Sequence, residues 1–188
     1  MKIAGFQKTS FVDFPGIIAA VIFTPGCNMR CGYCHNKHIL SGNMELVDEL
    51  TVTDYLSKRK GMVNGVVVSG GEPTLQPDLE RFISGVKGMG YKVKLDTNGT
   101  NPDAVKNLFE KGLIDYVAMD IKAPVSKYSR ICGCSVDTDA VLETVGFLQS
   151  HNVPHEFRTT FCPGLTDEDI VEIDTFKELK AIDKTYDV

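Results

Sequence analysis

Apolar residues recur along this chain in two alternating rhythms. Ile17-Ile18-Ala19-Ala20-Val21-Ile22-Phe23 (17–23) and Gly65-Val66-Val67-Val68-Ser69 (65–69) are nearly continuous apolar runs of strand length. Such runs suit strands covered on both faces. Further runs at 91–96, 115–121 and 154–160 predict three more strands. Between them the spacing is helical: Val105, Leu108 and Phe109 share one face, and Val141, Val145 and Leu148 share another. Asp137 and Asp139 suit the N-terminal end of that second helix, by capping and by the helix dipole. Alternation of strand and helix implies a parallel sheet with helices outside it. With Thr185-Tyr186-Asp187-Val188 as a sixth strand, the pattern predicts an α/β fold. Its form is a partial, open βα barrel of about six parallel strands with outer helices, in one domain over residues 1–188. A closed eight-stranded barrel typically needs about 250 residues, more than the 188 present.

Charge and composition narrow the function classes. A net charge of −5 argues against a nucleic-acid-binding surface. No basic leader precedes an apolar stretch, and no apolar run approaches ~18 residues. The expectation is a cytoplasmic protein without a membrane partner. Six cysteines would suit a disulfide framework in a secreted chain, but without a leader their clustering favours metal.

That cluster is Cys27-Asn-Met-Arg-Cys31-Gly-Tyr-Cys34-His35. Three thiolates so spaced can hold three corners of a cubane iron–sulfur cluster. Clusters that only carry electrons usually take four cysteine ligands. Three leave one iron without a protein ligand, and an open coordination position separates reactive metal sites from structural ones. The alternative is a structural zinc site with His35 or His38 as fourth ligand. A second motif, Gly70-Gly71-Glu72-Pro73, follows the 65–69 strand at its C-terminal end, where barrels place their chemistry. Two glycines let a ligand approach the backbone, and Glu72 offers an anion to an ammonium group.

Together these motifs resemble the radical S-adenosylmethionine (SAM) superfamily. Within it, Ile3-Ala4-Gly5-Phe6-Gln7-Lys8-Thr9-Ser10, Asp13-Phe14-Pro15-Gly16, Gly26-Cys27-Asn28 and Tyr33-Cys34-His35-Asn36 resemble small activating proteins of anaerobic ribonucleotide reductase. Asp96-Thr97-Asn98-Gly99, Met119-Asp120-Ile121-Lys122 and Phe157-Arg158-Thr159-Thr160 extend the likeness, which runs to about Ile170. Related activases continue past the helix near Asp167–Lys180 with a clear last strand; here the resemblance is lost after Ile173.

The resemblance implies a [4Fe-4S] cluster on Cys27, Cys31 and Cys34, with its free iron binding the amino and carboxylate groups of SAM. A reduced cluster then cleaves the S–C5′ bond to give a 5′-deoxyadenosyl radical, which takes a Cα hydrogen from a glycine of a partner glycyl-radical enzyme. It also implies that Gly70, Gly71 and Glu72 hold the methionyl ammonium and that Lys122 or Arg158 meets the carboxylate. Asp120 is the candidate for the ribose hydroxyls and Tyr33 for adenine. In some related activases the positions of Asp96 and Asp120 bind a monovalent cation. The implied partners are an anaerobic ribonucleotide reductase and a flavodoxin or ferredoxin electron donor. A small-molecule enzyme of the carboxy-deazaguanine synthase type and a truncated, inactive cluster-binding relative are the competing readings. Asn98-Gly99 reads equally as a plain tight turn, His35 as an ordinary histidine, and Cys132, Cys134 and Cys162 as ordinary thiols.

Overall fold

The computed structural model describes residues 1–40 and 44–182. Six strands form one sheet: β1 (Gly5–Ser10), β2 (Ala19–Thr24), β3 (Gly65–Gly70), β4 (Lys92–Thr97), β5 (Tyr116–Asp120) and β6 (His155–Arg158). They lie side by side in chain order. Every neighbouring pair from β2 to β6 is parallel. The helices are α1 (Glu49–Lys58), α2 (Leu79–Gly88), α3 (Pro102–Glu110), α4 (Tyr128–Cys132), α5 (Thr138–Ser150) and α6 (Asp167–Ile182). The five strands expected from apolar runs are all present, each within two residues of its expected start.

The sixth strand differs from the expectation. It is β1, antiparallel to β2, with Gly5 opposite Phe23 and an irregularity between Gln7 and Ser10. Its segment has no apolar run because it is an edge strand, with only Ser10 buried. The strand expected at 185–188 lies outside the described residues. Among the described residues β6 pairs only with β5, so the barrel is open between β6 and β1.

Both faces of the sheet are used. Ile22, Val66, Val68, Val93, Leu95, Val117 and Met119 pack outward against helix residues such as Ile83, Val86, Leu108, Val145 and Leu148. Burying each such side chain contributes roughly 1.5–3 kcal/mol, which makes the outer layer the main source of cohesion. The capping expectation holds: the Asp137 side chain accepts from Ala140 N at 3.1 Å, starting α5. On the inner face, Phe14, Ala19, Val21 and Val67 pack with Ile17, Phe23 and Tyr116. That apolar floor closes the N-terminal end. Further along the same face, β4, β5 and β6 carry Asp96, Asp120 and Arg158 instead, so the C-terminal end is polar.

Candidate metal and cofactor site

The three motif cysteines lie on the loop that leaves β2. That loop is pinned to the end of β3 by backbone bonds: Gly71 N donates to Thr24 O at 2.9 Å, and Glu72 N donates to Gly26 O at 2.8 Å. Within it, Cys34 N donates to Cys31 O at 3.1 Å, and Met29 N donates to Cys27 Sγ at 3.4 Å. Burial pushes the Cys27 thiol up, and a hydrogen bond with Cys132, aided by nearby Lys122, draws the Cys31 thiol down to about 6.

All ten residues singled out from the sequence line one cavity of about 480 Å³ at the C-terminal end of the sheet. Cys27, Cys31, Tyr33 and Cys34 form one wall, Gly70, Gly71 and Glu72 a second, and Asp120, Lys122 and Arg158 a third. Asp13, Ser69, Thr97, Asn98 and Thr160 also line it, residues of the quoted runs and motifs to which no ligand-binding role had been given. His35 lies at the rim, exposed. Among the described residues no three His, Cys, Asp or Glu side chains converge on one ion-sized point. The thiols are therefore not arranged as a ready mononuclear zinc site.

The glycine motif has a local cause different from the one expected. A Cβ on Gly71 would stand 1.8 Å from Gly26 O, and Gly70 holds φ 115 with Thr24 backbone where its Cβ would be. What comes close is the chain's own cysteine loop. Glu72 also differs from a free anion awaiting a ligand, being only 1 % exposed. Its Oε1 accepts from Thr74 N (3.1 Å), Thr74 Oγ1 (2.6 Å) and Thr97 Oγ1 (2.8 Å), and its Oε2 from Asn98 N (2.7 Å). Oε2, with a single donor, retains acceptor capacity. Asn98 in turn donates to Asn28 Oδ1 at 2.8 Å, so it is more than a turn residue: it joins Glu72 to the cysteine loop.

The third wall is an alternating charge network. Arg158 Nε donates to Asp120 Oδ1 at 3.0 Å and Nη1 lies 3.5 Å from Asp96 Oδ2. Lys122 Nζ donates to Asp120 Oδ2 at 2.9 Å. Burial disfavours the Lys122 charge, but Asp120 outweighs it and raises the pKa. Lys94, nearly buried, sits 3.4 Å from Asp96 and 3.1 Å from Glu156, and donates to the Asp13 carbonyl at 2.6 Å. Asp96 and Asp120, the positions for which the resemblance implied a monovalent cation, are both paired with the Arg158 guanidinium, at 3.5 and 3.0 Å.

Tyr33 Oη, a buried polar atom of this lining, has no hydrogen-bond partner, and Asp96 Oδ1 has none beyond the Lys94 ammonium 3.4 Å away. Buried polar groups are nearly always satisfied, so such an orphan marks a place for a polar ligand. Three thiols, paired cations and carboxylates, and this orphan fit a thiolate-held cluster together with a zwitterionic nucleoside. The volume falls in the range of about 300–1,000 Å³ typical of small-molecule sites. A second cavity of about 330 Å³ lies between α5 and α6 and is lined mainly by apolar groups such as Ile121, Val141 and Ile173. It has no comparable set of chemical groups.

An open, mostly parallel sheet with loop thiols lining a polar cavity at its C-terminal end defines an α/β protein with a cofactor-sized site. The chain belongs to the radical SAM superfamily: the model of that family, described as "Radical SAM superfamily", matches residues 21–176. A protein of Methanocaldococcus jannaschii, named as a candidate glycyl-radical enzyme activating enzyme, is 37% identical over 189 residues, covering 96% of this chain and 76% of that one. The pyruvate formate-lyase-activating enzyme of Streptococcus mutans is 33% identical over 189 residues, covering 92% and 71%. SuiB of Streptococcus suis shares the fold at a TM-score of 0.66 and 17% identity, over 87% of this chain and 38% of SuiB. The chain is thus a radical SAM enzyme similar to activases, with a [4Fe-4S] cluster and SAM as its cofactors.

Gly71→Ala tests the pinned loop. The new methyl meets backbone that cannot rotate away, so we expect a loss of about 1–3 kcal/mol in denaturant stability, with lower iron content after reconstitution. Wild-type stability and iron content in that variant would contradict the packing described.

Proposed function

We propose that this chain is a glycyl-radical enzyme activase, built as a single radical SAM domain over residues 1–188, and that its partner is an anaerobic ribonucleoside-triphosphate reductase. The observation that carries the reading is the meeting of Cys27, Cys31 and Cys34 with the Gly70-Gly71-Glu72 wall around one cavity in a sheet open between β6 and β1. An open side suits a substrate that is a loop of another protein, whereas an enzyme for small metabolites needs walls of its own. The similarity to activases and the likeness of the first ten residues to reductase activases support the same choice.

In this reading Cys27, Cys31 and Cys34 hold the cluster as thiolates. The Gly70-Gly71 backbone and Glu72 Oε2 orient the methionyl ammonium of SAM. Lys122 and Arg158, already held in place by Asp120, present cationic donors to its carboxylate. Asp120 also faces the ribose hydroxyls, and the Tyr33 ring the adenine. When bound, cluster and SAM supply one-electron cleavage of the S–C5′ bond and hence a carbon-centred species able to take a glycine Cα hydrogen. A one-electron donor of the flavodoxin or ferredoxin type reduces the cluster. Among the described residues no helix is long and apolar enough to cross a membrane. All six cysteines are free thiols, and together with the cluster this supports a cytoplasmic setting.

The test is anaerobic incubation of the reconstituted protein with SAM, reductant and either anaerobic ribonucleotide reductase or pyruvate formate-lyase. A glycyl-radical doublet by electron paramagnetic resonance on the reductase alone is expected. A doublet on the lyase alone would move the partner, and turnover of a small metabolite with no doublet on either would replace the activase reading.

A further inference from the structure

The turn that follows β4 is tied to the cysteine loop by a ring of three side chains, Asn28, Asn98 and Thr100. Thr100 N donates to Asn98 Oδ1 at 3.1 Å, and a backbone N–H can only donate, so that end of the Asn98 amide is its oxygen. The other end is then Nδ2, which donates to Asn28 Oδ1 at 2.8 Å. Asn28 Nδ2 in turn donates to Thr100 Oγ1 at 2.8 Å, and the Thr100 hydroxyl gives its own proton to Asn98 Oδ1 at 2.7 Å. Each bond of the ring therefore runs from donor to acceptor in one direction round. The turn is also held from the helix layer: Thr144, fully buried on α5, donates to the Gly99 carbonyl at 2.7 Å.

Two parts of the site meet through this ring. Asn28 follows Cys27, whose sulfur accepts from Met29 N at 3.4 Å. Asn98 N donates to Glu72 Oε2 at 2.7 Å. We propose that Thr100 is a positioning residue whose hydroxyl closes the ring and so fixes Cys27 relative to Glu72. The proposal rests on the reading above, in which Cys27 holds the cluster and Glu72 the methionyl ammonium. A ligand that must meet both groups at once is sensitive to their separation, since a misplacement of about 1 Å is already costly. Among the described residues Thr100 is not part of the cavity lining, so it acts only through its two asparagine partners. Without its hydroxyl, Asn28 Nδ2 and Asn98 Oδ1 each lose a partner, and the Asn28 amide is free to turn away from Asn98.

The experiment is equilibrium binding of SAM to the full-length reconstituted protein, wild type against Thr100→Val and Thr100→Ser, with iron content measured on each. Valine keeps the shape and removes the hydroxyl; serine keeps the hydroxyl. Thr100→Val should bind SAM roughly fivefold more weakly at wild-type iron content, with Thr100→Ser within about twofold of wild type. Asn28→Ala should match Thr100→Val, and the double variant should be no weaker than either, because one broken bond opens the whole ring. Wild-type affinity in Thr100→Val overturns the proposal, as does serine as weak as valine, or a double variant whose losses simply add. If valine loses iron, serine with wild-type iron and SAM affinity upholds the role of the hydroxyl, and loss of iron in both overturns it. Weakened binding in Glu72→Gln beside wild-type binding in Thr100→Val overturns the proposal alone. Wild-type binding in Glu72→Gln overturns the reading of Glu72 beneath it.

Discussion

Cys31→Ala should leave the sheet folded and abolish both cluster binding and SAM cleavage. The thiol is buried to 8% exposure, but its removal takes away one sulfur from a loop that is held by backbone bonds. Gly71 N to Thr24 O, Glu72 N to Gly26 O and Arg30 N to Cys132 O all survive the substitution. The loss therefore falls on the metal. Replacing groups that merely support a metal ligand typically costs 10–100-fold in affinity or activity; loss of a ligand itself should cost more than about 100-fold. Iron content, visible absorbance and 5′-deoxyadenosine formation measure it, with far-ultraviolet circular dichroism showing that the fold persists. Cys162→Ala, which changes a thiol outside the cavity lining, is the matched control and should keep its iron. Full SAM cleavage by Cys31→Ala would remove the cluster assignment.

The second large effect is expected at Glu72. Its carboxylate receives four hydrogen bonds from Thr74, Thr97 and Asn98 in a site sealed from water. Glu72→Gln keeps the shape but turns an amide N–H₂ towards donors, whichever way the amide lies. At least one buried donor is then left unpaired, at about 1–3 kcal/mol. With the lost charge-assisted bonds, we expect about 2–4 kcal/mol of destabilisation, and a melting temperature lower by about 5–10 °C. SAM affinity should fall more than about tenfold, because the Asn98 link to Asn28 and the end of β3 both move. Calorimetry and equilibrium binding separate the two effects. An unchanged melting temperature would mean that the carboxylate does not brace this rim. Burial pushes the Glu72 pKa up. A raised carboxylate favours the fold below its unfolded pKa and loses that contribution as pH rises through its folded pKa.

The parallel strands were legible in the sequence because burial on both faces writes them as apolar runs: Ala19–Thr24 and Gly65–Gly70 could hardly be read otherwise. The edge strand Gly5–Ser10 was not, since an exposed antiparallel edge needs no such run. The cavity residues carried by motifs were legible as a group, and all ten meet in one place. What the motifs did not show was contact at long range. Gly71 is glycine because Gly26 passes against it, 45 positions earlier in the chain, a fact that no local pattern records. Asn98 looked like a turn residue because its partners, Glu72 and Asn28, are distant in sequence.

Dithionite-dependent formation of 5′-deoxyadenosine from SAM by the anaerobically reconstituted protein tests the central claim most directly. The account predicts 5′-deoxyadenosine and methionine in equal amounts, dependent on both reductant and iron. A protein that holds an intact [4Fe-4S] cluster, binds SAM and forms no 5′-deoxyadenosine would contradict it.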